Sequence, residues 1–153
     1  MTAKMKSKPY RHQSRPDWDE VRARVMRWCL RVKLAQNWER FGALILETAE
    51  RPIVEESRKD DFWGAIPSSD GQLVGRNVLG RLLMELRELL RAPNVESLRR
   101  VEPPRVSQFL LYGQPVTVVE GPSKLAAAGS RQPSLALRGT GSGKGQRAAG
   151  SGR

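Results

Sequence analysis

Residues 75–92 read GRNVLGRLLMELRELLRA, and their reading decides the fold class. Leu79, Leu82, Leu83, Leu86, Leu89 and Leu90 recur at three- and four-residue spacings, which lays a wide apolar stripe along one side of an α-helix. Gly80 interrupts that helix at a cost of about 1 kcal/mol relative to alanine. A glycine at such a cost fits close backbone packing or a ligand approaching the helix start.

Upstream, residues 14–37 (SRPDWDEVRARVMRWCLRVKLAQN) predict a second helix. Asp17 and Glu20 give a capping-box-like start after Pro16, and Val21, Val25, Trp28, Cys29 and Val32 share a buried side, with Arg22, Arg24, Arg27 and Arg31 largely elsewhere. A third helix is expected in NWERFGALILETAE (residues 37–50), with Asn37 as its cap and Trp38, Phe41, Leu44, Ile45 and Thr48 facing inward until Pro52 stops it. PIVEES (52–57) suits a brief extended segment, in which an inward Val54 would point Glu55 and Ser57 the other way. Downstream, the runs of VEPPRVSQFLLYGQPVTVVE (101–120) form a hairpin about Tyr112-Gly113-Gln114, with Pro115 confining the second run to an edge. The class is mainly α with a minor β-hairpin.

The chain has 153 residues, room for one ordinary domain, and a formal charge of +11. That charge is unevenly placed. Residues 1–15 hold five Lys or Arg and residues 121–153 hold six, with no acid in either, so the 16 remaining basic residues balance all 16 acids in residues 16–120. A nucleic-acid-binding fold carries its basic excess on the folded face; here the excess lies in the ends, which implies at most non-specific nucleic-acid contact through them. Cys29 alone permits no internal disulfide and no cysteine cluster for zinc. His12, the only histidine, has no partner for nucleophilic catalysis, and no metal or cofactor site is expected. No apolar run approaches the roughly 20 residues of a membrane span, so no membrane partner is expected and a cytoplasmic location is. From Gly121 the composition predicts a disordered tail; its GTGSGKG (139–145) lacks P-loop spacing and a following helix.

The stretch that asks for chemistry is KDDFWG (59–64). A turn needs the acids and the glycine, while Phe62 and Trp63 add nothing to turn geometry. They either plug the loop onto the core or offer a surface for a base or sugar. The loop runs on to Gly75, Arg76 and Asn77 at the start of the leucine-rich helix, where free N–H groups suit a phosphate. Glu55, Asp60 and Asp61 could polarise water or hold ribose hydroxyls.

Taken in order, Trp18, Arg22, Val25, Met26, Lys33, Leu46, Thr48, Ile53, Val54, Glu55, Asp60 or Asp61, Phe62, Trp63, Gly64, Gly75, Asn77, Leu79, Gly80, Leu83, Met84 and Arg87 form a pattern. It resembles the second half of the NADAR (YbiA-like) domain: W-x-x-x-R-x-x-V-M, then K, L-x-x-T, I-V-E, D-x-F/Y-W-G and G-x-N-x-L-G-x-x-L-M-x-x-R. The match is specific because it joins many dispersed residues in order.

The resemblance implies a small, mainly helical NADAR-like domain (residues 16–120) between a basic N-terminal arm (1–15) and the basic tail (121–153). It also implies N-glycosidic chemistry, since members act on phosphorylated intermediates of riboflavin synthesis or remove ADP-ribose. The expected substrate is a phosphorylated ribosyl small molecule or ADP-ribose, with Glu55, Asp60 and Asp61 as candidate catalytic residues. Lys33, Trp63, Gly64, Arg76 and Asn77 are the candidate binding residues, Trp63 shaping or stacking in the pocket. The family's N-terminal half, which supplies part of the pocket including an acid, has no visible counterpart. The expectation is therefore a partial domain, truncated or paired with a partner that supplies the missing half. The rival function is a nucleotide- or ADP-ribose-binding module without catalysis.

Overall fold

The computed structural model describes residues 5–122 with the exception of Ser7. A 3-10 helix at Lys8–Gln13, with no buried residue, leads into three α-helices: α1 (Trp18–Gln36), α2 (Trp38–Glu47) and α3 (Val78–Arg91). Six two-residue strands pair as three antiparallel ladders. β1 (Ile66–Pro67) pairs with β2 (Leu73–Val74), β3 (Arg100–Val101) with β6 (Val119–Glu120), and β4 (Leu110–Leu111) with β5 (Gln114–Pro115). The expected tail from residue 123 onward lies outside the described residues.

The leucine stripe behaves as its periodicity predicts. Leu82 and Leu86 of α3 are buried with Leu30, Leu34 and Ile45, while Leu79, Leu83, Leu89 and Leu90 pack around them. Each fully buried leucine contributes roughly 1.5–3 kcal/mol of transfer free energy. α1 differs from expectation because it serves two cores. Its first turns bury Val21 and Val25 against Val106, and its last turns turn Leu30, Leu34 and Ala35 inward. A single stripe ending in Cys29 and Val32 was the wrong continuation: Cys29 is exposed.

Three local expectations are corrected. Leu44 is 55% exposed; α2 instead buries Gly42 and Ile45, with Trp38 and Phe41 against the core. Val54 is exposed too, because its segment binds neighbours through its backbone. Neither Asp17 nor Asn37 caps the helix that follows it. The Asp17 carboxylate is held by Arg15, whose Nη2 also donates to the Ser107 carbonyl at 2.9 Å, and Asn37 Nδ2 donates back to Lys33 O at 3.0 Å.

α2 ends at Glu47, before Pro52. Thr48 Oγ1 donates to Ile45 O at 2.6 Å and Ala49 turns the chain with φ 48°. The turn is locked from α3 by the buried Arg87, whose Nη1 donates to Thr48 Oγ1 (2.9 Å) and to Arg51 O (2.8 Å). The expected hairpin at 110–115 is present, its Tyr112-Gly113 corner having φ 52° and 75°, the positive pair a tight two-residue turn requires.

Candidate functional site

The KDDFWG loop is built from its own polar groups. Ser57 Oγ accepts from the amides of Lys59 (3.3 Å) and Asp60 (3.0 Å), and Asp60 Oδ1 accepts from those of Phe62 (3.1 Å) and Trp63 (2.9 Å). Asp60 is thus an internal cap of the loop, the local use that short acidic side chains serve best.

The loop then joins the start of α3 along a backbone seam. Carbonyls 61 to 64 face amides 76 to 79: Arg76 N donates to Asp61 O (2.6 Å), Asn77 N to Gly64 O (2.9 Å), Val78 N to Phe62 O (3.0 Å) and Leu79 N to Trp63 O (3.0 Å). The first amides of α3 are therefore occupied, and the expected open seat for a phosphate at this helix start is corrected: peptide carbonyls fill it.

A third strand of chain closes the arrangement. Ala65 N donates to Glu55 O (2.8 Å) and Ser57 N to Ala65 O (2.9 Å). Asn77 bridges the same segment to the helix, its Nδ2 donating to Ile53 O at 2.9 Å and its Oδ1 accepting from Glu55 N at 3.1 Å. Asn77 has φ 47° and makes no side-chain cap, so its amide is spent as a clamp. Such packing admits no side chain at three positions of the motif, Gly64 among them, where a Cβ would lie against Glu55 O. A Cβ on Gly75 would lie 2.5 Å from Gly64 O and 2.7 Å from Ala65 Cα; one on Gly80 would lie 2.5 Å from Asn77 Nδ2 and closer still to Ile53 O.

The aromatic pair divides its work. Trp63 packs on the core of Leu30, Leu34, Ile45, Leu82 and Leu86, and meets Phe62 edge-on with centroids 4.9 Å apart. Phe62 carries two guanidiniums: Arg22 of α1 at 3.4 Å from the ring centroid and Arg76 at 4.7 Å. Cations over an aromatic face are attracted by its quadrupole. Arg22 is also paired with Asp19 at 3.2 Å, and its Nε is buried without a partner. The side chains of Glu55 and Asp61 make no hydrogen bond or ion pair among the described residues, which leaves two carboxylates free for chemistry.

Of the residues expected from the sequence, Glu55, Asp60, Asp61, Trp63, Gly64, Arg76 and Asn77 come together through these contacts. Lys33 does not: its Nζ lies 4.4 Å from the Phe41 ring centroid, and it is eleven residues along α1 from Arg22, about 16 Å of helix. The residue missed is Arg22. It stood in the W-x-x-x-R pattern without a role, and an arginine among apolar helix positions beside a Phe-containing loop was the signal available. Among the described residues no group of His, Cys, Asp and Glu could hold a metal ion, and no helix is long and apolar enough to cross a membrane.

The NADAR domain matches residues 1–91, well over half the chain and reaching through the 3-10 helix to the end of α3. The chain belongs to the NADAR family. Among its relatives, the N-glycosidase YbiA of Escherichia coli is 44% identical over 85 residues, covering 56% of this chain and 48% of that protein. A riboflavin biosynthesis protein of Vibrio vulnificus is 42% identical over 84 residues, 55% of this chain and 22% of that one. An N-glycosidase of Nostoc punctiforme is 34% identical over 79 residues, 52% of this chain and 47% of its own. These alignments take in about half of each N-glycosidase and less of the riboflavin biosynthesis protein. No solved structure matches. For this NADAR chain, the seam and the Phe62 stack account physically for the D-x-F-W-G and G-x-N-x-L-G elements of the pattern.

Proposed function

We propose that the 55–80 segment carries the site of an N-glycosidase that hydrolyses the C–N bond at the anomeric carbon of a phosphorylated ribosyl compound, of the riboflavin-intermediate or ADP-ribose type. The observation that carries the reading is the stack of Arg22 and Arg76 on Phe62 in the same loop as the unpaired Asp61 carboxylate. The names of the relatives support the class of reaction.

The chemistry asks for little more. Water adds its oxygen to C1′ while a carboxylate takes its proton; the C–N bond breaks, its electron pair leaves with nitrogen, and nitrogen takes up a proton. Charge on the sugar is oxocarbenium-like, so a nearby carboxylate also stabilises it. Asp61 and Glu55 are assigned these parts, because the Asp60 carboxylate is engaged by two backbone amides. Arg22 and Arg76 hold the phosphate end of the substrate. Trp63, Gly64 and Asn77 fix the loop on which Phe62 and Asp61 stand.

The engagement of Asp60 is also the observation that favours the second reading, a module that binds ADP-ribose or a nucleotide without cleaving it. Steady-state kinetics on a phosphorylated N-ribosyl substrate separate the two. Asp61→Asn or Glu55→Gln should lower kcat by about 10²–10⁴ with KM little changed, and Arg76→Gln should act mainly on KM. Ligand protection of the wild type against unfolding with no product over hours would favour the binding module instead.

A further inference from the structure

Across α1 from the Phe62 loop lies a groove of about 470 Å³, walled on one side by Arg24, Arg27, Trp28 and Arg31 and on the other by residues 97–98 and 100–105. At 100° per residue, Arg24 stands 200° around α1 from Arg22, so this groove and the Phe62 stack occupy opposite sides of the helix. Its second wall lies beyond the part of the chain matched to the NADAR domain, which ends at residue 91. The groove is thus built partly from residues outside the matched stretch.

Its charge is not balanced. Arg24, Arg27, Arg31, Arg100 and Arg105 line it. Arg27 is satisfied by Glu85 through bonds of 2.8 to 3.1 Å, and Arg31 reaches the same carboxylate only at 4.0 Å. Arg100 is held by Glu102 (3.0 Å) and Glu120 (2.5 Å). Arg24 and Arg105 meet no carboxylate among the described residues; Arg24 Nη1 donates only to Arg105 O at 3.2 Å. Five arginines against three carboxylates leave an excess of two positive charges in a concave site. Two further donors, Trp28 Nε1 and Arg31 Nε, are buried in its wall without an acceptor. Buried donors without partners are rare in folded proteins and ask for one.

We propose that this groove binds a small diphosphate-bearing molecule through Arg24, Arg31 and Arg105. The volume exceeds what a single phosphate fills and falls in the range of small-molecule sites. Guanidiniums present planar forks matched to phosphate oxygens. Glu85, Glu102 and Glu120 pair with its flanking arginines and repel a long polyanion, which favours a compact ligand over a nucleic acid strand. Pro103 and Pro104 stiffen the second wall, so little ordering is required on binding.

Isothermal titration of the full chain with inorganic pyrophosphate at fixed ionic strength tests this. The expected result is saturable binding in wild type, weakened about tenfold or more by Arg105→Gln and by Arg31→Gln and unchanged by Arg40→Gln on exposed α2 surface. Arg105 is exposed, so its variant keeps the fold and remains informative if Arg31→Gln does not fold. The loss caused by Arg105→Gln should persist in an Arg76→Gln background, which distinguishes failure here from failure of the glycosidase reading. No heat at about 5 mM pyrophosphate, equal losses in Arg40→Gln and Arg105→Gln, or displacement by a single-stranded oligonucleotide that binds more tightly would each overturn the proposal.

Discussion

Replacing Gly80 by alanine opposes two effects whose signs differ. In a helix without neighbours the change gains about 1 kcal/mol from propensity. Here the added methyl would sit 2.5 Å from Asn77 Nδ2 and 2.6 Å from Asn77 Oδ1, where ordinary contact begins at 3.4 Å, and nearer still to the Ile53 carbonyl. The Asn77 amide would have to retreat by about 0.9 Å, and it cannot do so while keeping both of its bonds to Ile53 O and Glu55 N. Overpacking costs about 1–3 kcal/mol, and a strained buried hydrogen bond adds roughly 1 kcal/mol. The net expectation is a loss of about 1–3 kcal/mol after the propensity gain, or a Tm lower by about 4–8 °C for each kcal/mol in a domain of this size. Thermal unfolding followed by circular dichroism measures it. In the double variant Gly80→Ala/Asn77→Ala the losses should be less than additive, because both act on one contact. A Gly80→Ala protein as stable as wild type, or more so, would refute the packing of Ile53 across α3.

Three further changes test other parts of the account. Asp60→Ala should cost about 1–2 kcal/mol, as loss of a cap does, while Asp60→Asn keeps an acceptor and most of the stability; denaturant midpoints decide it. Arg87→Leu should cost about 2–4 kcal/mol by leaving Arg51 O without its buried donor and Thr48 Oγ1 with one bond fewer, and Arg87→Lys should recover only part, since one ammonium does not reproduce the planar fork. The hydrogen bond from Arg15 holds the Asp17 carboxyl below the usual carboxylate range. Its folded pKa lies below its unfolded one, so its contribution is present above that range and lost as pH falls through it. Asp17→Asn should flatten the acid limb of a stability-versus-pH curve without altering the neutral plateau's pH dependence.

How far the sequence could be read depends on what each residue spends its side chain on. α3 was legible because Leu82 and Leu86 bury side chains at helical spacing. α2 was misread at Leu44 because part of its buried face is Gly42, which contributes backbone proximity and gives no apolar signal. α1 was misread after Val25 because it changes partners, and a change of partner rotates the buried face without leaving a mark in a single periodicity. Reading residues 65–74 as loop misses the hairpin of β1 and β2, whose signal is Asp70-Gly71 between two apolar pairs, with Gly71 at φ 79°. At the site, the motif named the right residues but concealed their uses. Asn77 and Gly80 meet the backbone of Ile53, and Gly75 that of Gly64, eleven or more residues away, so no local pattern reveals these contacts.

The most direct test of the central claim is product formation by the purified full chain on a phosphorylated N-ribosyl substrate, with release of the free ribose phosphate followed over hours. The account predicts saturable release by wild type, reduced at least about 100-fold by Asp61→Asn at unchanged thermal stability, and with KM raised by Phe62→Ala through loss of the ring that orders Arg22 and Arg76. Wild-type protein that unfolds cooperatively and yet releases nothing, or releases product as fast with Asp61→Asn and Glu55→Gln as without them, would contradict it.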